Sequence, residues 1–134
     1  MAPITALENQ HVTLYYHPDT KIVHHIYHAT IGGNYLKEAL NVGVDLLREH
    51  SAVKWLSDNR EIEGHSHEET EWINANWLPN AVDAGWKYWA LVVPHSQMAR
   101  INMSEFVNSF YNMGVRVMVF VNPDEAMTWL EEIG

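Results

Sequence analysis

The chain reads as an α/β domain built on a mixed, mostly parallel five-stranded sheet with four helices. Three observations predict this. Val115 to Val121 (VRVMVFV) is nearly all apolar and rich in β-branched residues, as in a strand covered on both faces. Directly after it the apolar period changes from two to 3.6: Asn122 can cap a helix, Pro123 fits its first position, and Glu125 stands where a capping-box carboxylate reaches back. The same strand-to-helix change recurs along the chain, giving the order β-β-α-β-α-β-α-β-α, with right-handed crossovers and one antiparallel strand at the start.

The elements follow in order. Residues 1–10 show no firm period and read as a lead-in. His11 to His17 is a strand, Pro18-Asp19-Thr20 a turn, and Ile22 to Thr30 a second strand; the short connection makes the pair a hairpin. Gly32-Gly33 breaks the chain, and Asn34 can cap a helix to about His50. Its stripe is Leu36, Leu40, Val44 and Leu47, with Gly43 permitting close approach. Ala52 to Asp58 is the third strand, followed by the polar loop NREIEGHSH. Ser66 and Glu69 form a capping-box pair for a helix carrying Trp72, Ile73, Trp77 and Leu78. Pro79 should kink or split that helix, and Gly85 ends it. Trp86 to Val93 is the fourth strand, stopped by Pro94. Asn102 and Glu105 open a helix with Phe106, Val107 and Phe110, which Gly114 ends. The last helix turns Ala126, Met127, Trp129, Leu130 and Ile133 to one side.

A length of 134 residues, 47% hydrophobic and 19% charged, fits one globular domain spanning 1–134. The formal charge of −9 disfavours nucleic acid and anionic membrane surfaces, which repel an acidic chain. The chain has no cysteine, which excludes disulfides, thiolate zinc sites and Cys nucleophiles. MAPITALENQ lacks the basic-then-apolar plan of a signal peptide, and no apolar run reaches transmembrane length. A cytoplasmic location is the expectation.

Several stretches carry a family resemblance: the opening hairpin, Trp55 ahead of a variable loop, the Trp72 helix, KYWALVV, and the close VFVNPDEAMTWL. Over residues 11–133 the chain resembles the STAS superfamily, and within it the bacterial SpoIIAA-like group. The resemblance implies the SpoIIAA-like (STAS) fold and a role in protein–protein switching or ligand sensing, sometimes as a dimer. The group's likeness to apolar-ligand carriers implies a pocket between helices and sheet. One departure matters. The superfamily's sigma-pathway members carry a phosphorylatable Ser in an Asp-Ser pair opening the helix after the third strand. This chain reads LSDNREIEGHSHEETEW there, and Glu68 and Glu69 beside Ser66 would oppose a phosphate.

Nine histidines are candidates for metal or proton chemistry. His24 and His28 share a strand face with His17 across the hairpin, and His65 and His67 stand among Glu61, Glu63, Glu68 and Glu69. A half-exposed strand face and a solvated loop account for both sets, and no His-Glu-x-x-His pattern occurs. Ser57, Ser66 and Ser96 follow strands, but none sits in a Gly-x-Ser-x-Gly elbow. The six tryptophans read first as core: Trp55, Trp72, Trp89 and Trp129 are expected to face a common core, with looser packing at Trp77 and Trp86 beside the Pro79 break.

The sequence thus points to a non-enzymatic STAS-like regulatory or binding module acting through a protein partner or small ligand. The alternative is a carrier of an apolar, lipid-like ligand; a His-based metalloenzyme is third. No catalytic residue, metal or cofactor is assigned, and a homodimer is admitted. Ligands of parallel sheets gather beyond the carboxyl ends of strands. The expected binding residues are therefore Ser57, Asp58, His65, Ser66, His67, Trp72, Trp77, His95 and Ser96, with 59–82 the mobile segment.

Overall fold

The structure, a computed structural model, describes residues 2–29, 33–62, 65–95, 108 and 110–134. Six strands form one sheet in sequential order: β1 (Ile4–Glu8), β2 (Val12–His17), β3 (Ile22–Tyr27), β4 (Lys54–Asp58), β5 (Tyr88–Val92) and β6 (Arg116–Phe120). The β1–β2 and β2–β3 pairs are antiparallel, and the pairs from β3 to β6 are parallel. The sheet has one strand more than the five expected. The sixth, β1, lies in the lead-in, where a register shift between Thr5 and Leu7 breaks the alternation that would have marked it.

Four helices are α1 (Gly33–His50), α2 (His67–Trp72), α3 (Leu78–Asp83) and α4 (Pro123–Glu132), and residues 110–112 are also helical. The strand-connecting α1 and α3 pack with Phe110 on one face of the sheet, over Leu14, Val23, Trp55, Trp89 and Leu91. In a sequential parallel order, right-handed crossovers lie on the same side. The terminal α4 crosses to no further strand and covers the other face, with Ala126 and Leu130 over Ile22, Leu56, Ala90 and Val92. The sheet therefore divides the tryptophans expected in a common core. Trp55, Trp77, Trp86 and Trp89 are buried in the larger core, Trp72 packs at its margin, and Trp129 belongs to the smaller one. Trp77 and Trp86 are only 3% exposed, so packing at the break is not loose.

β6 is an edge strand and half-exposed, not covered on both faces. An apolar, β-branched run reads alike at the centre and at the rim of a sheet. α1 opens at Gly33, one residue before the expected Asn34 cap, with Gly33 at φ +56°. Its first N–H is met from outside the helix, by Glu69 Oε2 at 3.2 Å. The Ser66 capping box is present on both sides: Ser66 Oγ accepts from Glu69 N at 3.1 Å, and Glu69 Oε1 accepts from Ser66 N at 2.8 Å. The Asn102–Glu105 pair lies outside the described residues.

The split near Pro79 takes a specific form. Ile73–Trp77 is a π-helical turn closed by Leu78 N–H on the Ile73 carbonyl. Pro79 then sits in the first turn of α3. A proline there lacks an N–H for residue 75 and crowds its carbonyl, and the widened turn relieves both.

Gly43 meets the Trp55 ring so closely that an added Cβ would overlap Cη2 and stand 2.6 Å from Cζ3. Gly43→Ala gains about 1 kcal/mol of helix propensity and loses about 1–3 kcal/mol to overpacking. A net destabilisation of up to about 2 kcal/mol is expected in urea denaturation. At the other end, Asn122 Oδ1 accepts from Asp124 N at 2.8 Å and Glu125 N at 3.4 Å. Asn122→Ala should cost about 1 kcal/mol in the same assay; no loss would show that this cap does not hold α4.

Candidate functional site

Period-two alternation turns Val23, His25 and Tyr27 of β3 toward the larger core, and on β4 it turns Trp55 and Ser57 the same way. Parallel register places His25 beside Ser57 and Trp55 beside Trp89. These side chains and Asn59, just past β4, floor a cavity of about 20 Å³. Leu40 of α1, Ile73 and Trp77 of the π turn, His65, Trp86 and Phe110 complete its walls. That volume matches a single water.

The polar groups are arranged without ambiguity. Trp55 Nε1–H can only donate, and it does so to His25 Nδ1 at 3.0 Å. His25 therefore carries its proton on Nε2, which donates to Asn59 Oδ1 at 2.9 Å. Burial holds this ring neutral, pushing its pKa down to about 4 against the opposing pull of Asn59 and Asp58. Ser57 Oγ accepts from Trp89 Nε1 at 2.8 Å. Trp77 Nε1 donates to the Leu40 carbonyl at 2.8 Å, which ties the π turn to α1. Among the described residues, nothing accepts from the Ser57 hydroxyl or the Asn59 amide N–H groups. Burial lowers the pKa of His65, with Glu69 acting against it, and raises that of Tyr27. The cavity is thus uncharged at neutral pH, aromatic on most sides, and supplied with two hydrogen-bond donors.

This geometry also limits the chemistry. The one lone pair of neutral His25 is held by Trp55, so His25 cannot act as a base toward Ser57 as it stands.

Of the residues expected from sequence, Ser57, His65 and Trp77 meet at the cavity. The others do not. Asp58 points to the opposite face, buried and in a bidentate pair with Arg60 at 2.9 and 2.8 Å. Ser66 is spent on the α2 cap. His67 is exposed and lies 3.0 Å from Glu71, and His95 lies 3.3 Å from Glu61. Trp72 carries Lys37 Nζ 5.3 Å above its ring. Ser96 lies outside the described residues. His25, Asn59 and Tyr27 belong to the site and were not singled out, and Trp89 was expected only as core; the alternation that put His24 and His28 on one face places His25 on the other.

That other face carries its own pair. His17 Nε2 and His24 Nδ1 are 3.1 Å apart with rings nearly stacked, while His28 bonds Thr13 Oγ1 at 2.6 Å. Burial, then neighbouring His17 and His25, pushes His24 down to about 3. Among the described residues, no three His, Asp or Glu side chains converge to hold a metal. No described helix is long and apolar enough to cross a membrane.

No family model matches the chain, and no curated protein or solved structure resembles it at a significant level.

The neutral His25 has a consequence for stability. An unfolded histidine titrates near 6.5 and the folded one near 4, so the unfolded chain binds the proton first. The contribution of His25 is complete above pH 6.5 and drains away as pH falls toward 4, by roughly 3 kcal/mol in all. Urea midpoints should drop over that window. His25→Gln should flatten the slope by about one proton, and an unchanged slope would mean that His25 is not held neutral.

Proposed function

We propose that the protein is a non-enzymatic binding module of the STAS-like kind, and that its ligand is small, neutral and planar, with a hydrogen-bond acceptor at one edge. The carrying observation is the convergence of Ser57, Asn59 and neutral His25 inside a wall of Trp55, Trp77, Trp86, Trp89 and Phe110. Aromatic faces favour a flat partner, and the Ser57 hydroxyl and Asn59 amide supply donors. An ion would be poorly hosted, because nothing charged lines the cavity and its desolvation would go uncompensated. The sequence resemblance to the STAS superfamily supports a sensing role over a catalytic one.

At about 20 Å³ the cavity has room for a water, not an acyl chain, and this weighs against the lipid-carrier reading. A ligand larger than a water therefore requires a wall to yield. The π turn is the wall suited to it. It contributes Ile73 and Trp77, it interrupts the helix, and Asn74 Oδ1 within it is buried without a hydrogen-bond partner among the described residues. Such an unmet acceptor costs about 1–3 kcal/mol, which a shifted turn could recover. π turns of this kind often mark functional sites.

A fragment screen read by indole N–H resonances tests the proposal. Neutral planar acceptors should shift the signals of Trp77 and Trp89 and slow amide exchange through residues 73–78. Ser57→Ala should weaken such binding about tenfold, the worth of one buried hydrogen bond. Fragments that perturb only Tyr15, His17 and His24, or a co-purifying lipid, would move the site or change the ligand class.

A further inference from the structure

The exposed apolar surface is concentrated at one edge. Among the described residues seven large hydrophobic side chains are exposed, and five of them, Tyr111, Met113, Met118, Val119 and Val121, fall within residues 111–121. β6 pairs only with β5, so its outer row of N–H and C=O groups meets no ladder partner among the described residues. Natural edges are usually blunted by bulges, charge or proline. The opposite edge, β1, has a bulge and Glu8. β6 has neither bulge nor proline, and its sole charge is Arg116, which forms no ion pair among the described residues.

We propose that β6 is the surface through which two copies of this chain pair, antiparallel about a two-fold axis, to join their sheets into one. The unpaired edge calls for an extended strand as its occupant. A second β6 supplies one that is self-complementary. With the axis at Met118, Val117 faces the partner's Val119 and Arg116 faces the partner's Phe120. An isologous contact of this kind closes and does not propagate.

Charge selects both the occupant and its direction. A chain of net charge −9 repels its copy over most of its surface, and β6 is a stretch without a carboxylate. Arg116 and Phe120 point to the face on which α4 lies, where Phe120 meets Trp129 at 5.9 Å. Antiparallel pairing brings Arg116, at the start of one strand, beside the end of the other. There the acidic first turn of α4, Asp124 and Glu125, stands on the same face. Parallel pairing would instead set Arg116 against the partner's Arg116.

Sedimentation equilibrium over a concentration series decides the matter. The expected result is a mass that rises from one chain to two. Val119→Lys, which puts a charge at the middle of the edge, should abolish the rise while leaving the circular dichroism unchanged. Arg116→Glu, at an exposed position, should weaken pairing, and Arg116→Glu with Asp124→Lys should restore it. A single-chain mass up to the solubility limit overturns the proposal. So does a dimer that persists undiminished in both Val119→Lys and Arg116→Glu.

Discussion

The hydrogen bond from the Trp55 indole to His25 Nδ1 is the constraint on which most of this structure depends. It spans adjacent parallel strands within a buried layer, where an unpaired indole N–H or imidazole nitrogen would cost about 1–3 kcal/mol. It fixes the His25 tautomer and so aims Nε2–H at Asn59, which holds the turn after β4. It also fixes the plane of the Trp55 ring. That ring lies against Gly43, and edge-on to Trp77 at 5.5 Å. The closeness of α1 to the sheet, the place of the π turn and the polarity of the cavity thus follow from one donor and one acceptor. The other indoles that line the cavity obey the same rule: Trp77, Trp86 and Trp89 each donate to a carbonyl or hydroxyl oxygen.

Adjacent histidines on β3 show how far environment outweighs residue type. His24 and His25 are neighbours in sequence, and both are kept neutral chiefly by burial. His25 has each ring nitrogen engaged by a named partner. His24 shares one nitrogen with His17, while its Nε2 is buried without a partner among the described residues. The first arrangement is a finished network that rigidifies a core, and the second is an incompletely satisfied pair beneath Tyr15.

Much of the fold was legible in the sequence because it rests on local signals. Capping residues Ser66 and Asn122, the turn after His17, and the break near Pro79 are encoded within a few residues of where they act. The features that stayed hidden depend on partners distant in sequence. ITALE becomes a strand only by pairing with β2, through a bulge that scrambles its own alternation. VRVMVFV reads as a central strand, yet nothing in those seven residues encodes whether a further strand lies beside them. At the site, Ser57, His65 and Trp77 could be named from their places at the carboxyl end of β4, in the loop beyond it and on the helical segment that follows. His25 and Asn59 could not. A histidine amid IVHHIYH gains a role only when the register across β4 sets it beside Trp55 and Ser57.

Strand order explains why the polar ends of the strands are not where the residues converge. A crevice beyond the carboxyl ends opens where strand order reverses and successive helices part to opposite faces. Here order never reverses, so α1 and α3 stay side by side on one face, and no such crevice arises between them. Space must be found instead between the helix layer and the sheet, and its size is set by how closely that layer settles. α1, at eighteen residues and with Gly43 against Trp55, settles tightly. The segment from α2 to α3 is built of pieces six, five and six residues long, too short to be stable alone. It is held by Ile73, Trp77 and Leu78 in the core and by the Ser66–Glu69 box at its start. The same carboxylate of Glu69 also reaches Gly33 N, so the beginnings of both helices are fastened at one point. The segment is thus fastened to α1 twice, at its start through the Glu69 carboxylate and at the π turn through Trp77, whose indole donates to the Leu40 carbonyl, and these two ties set how closely the layer settles over the cavity.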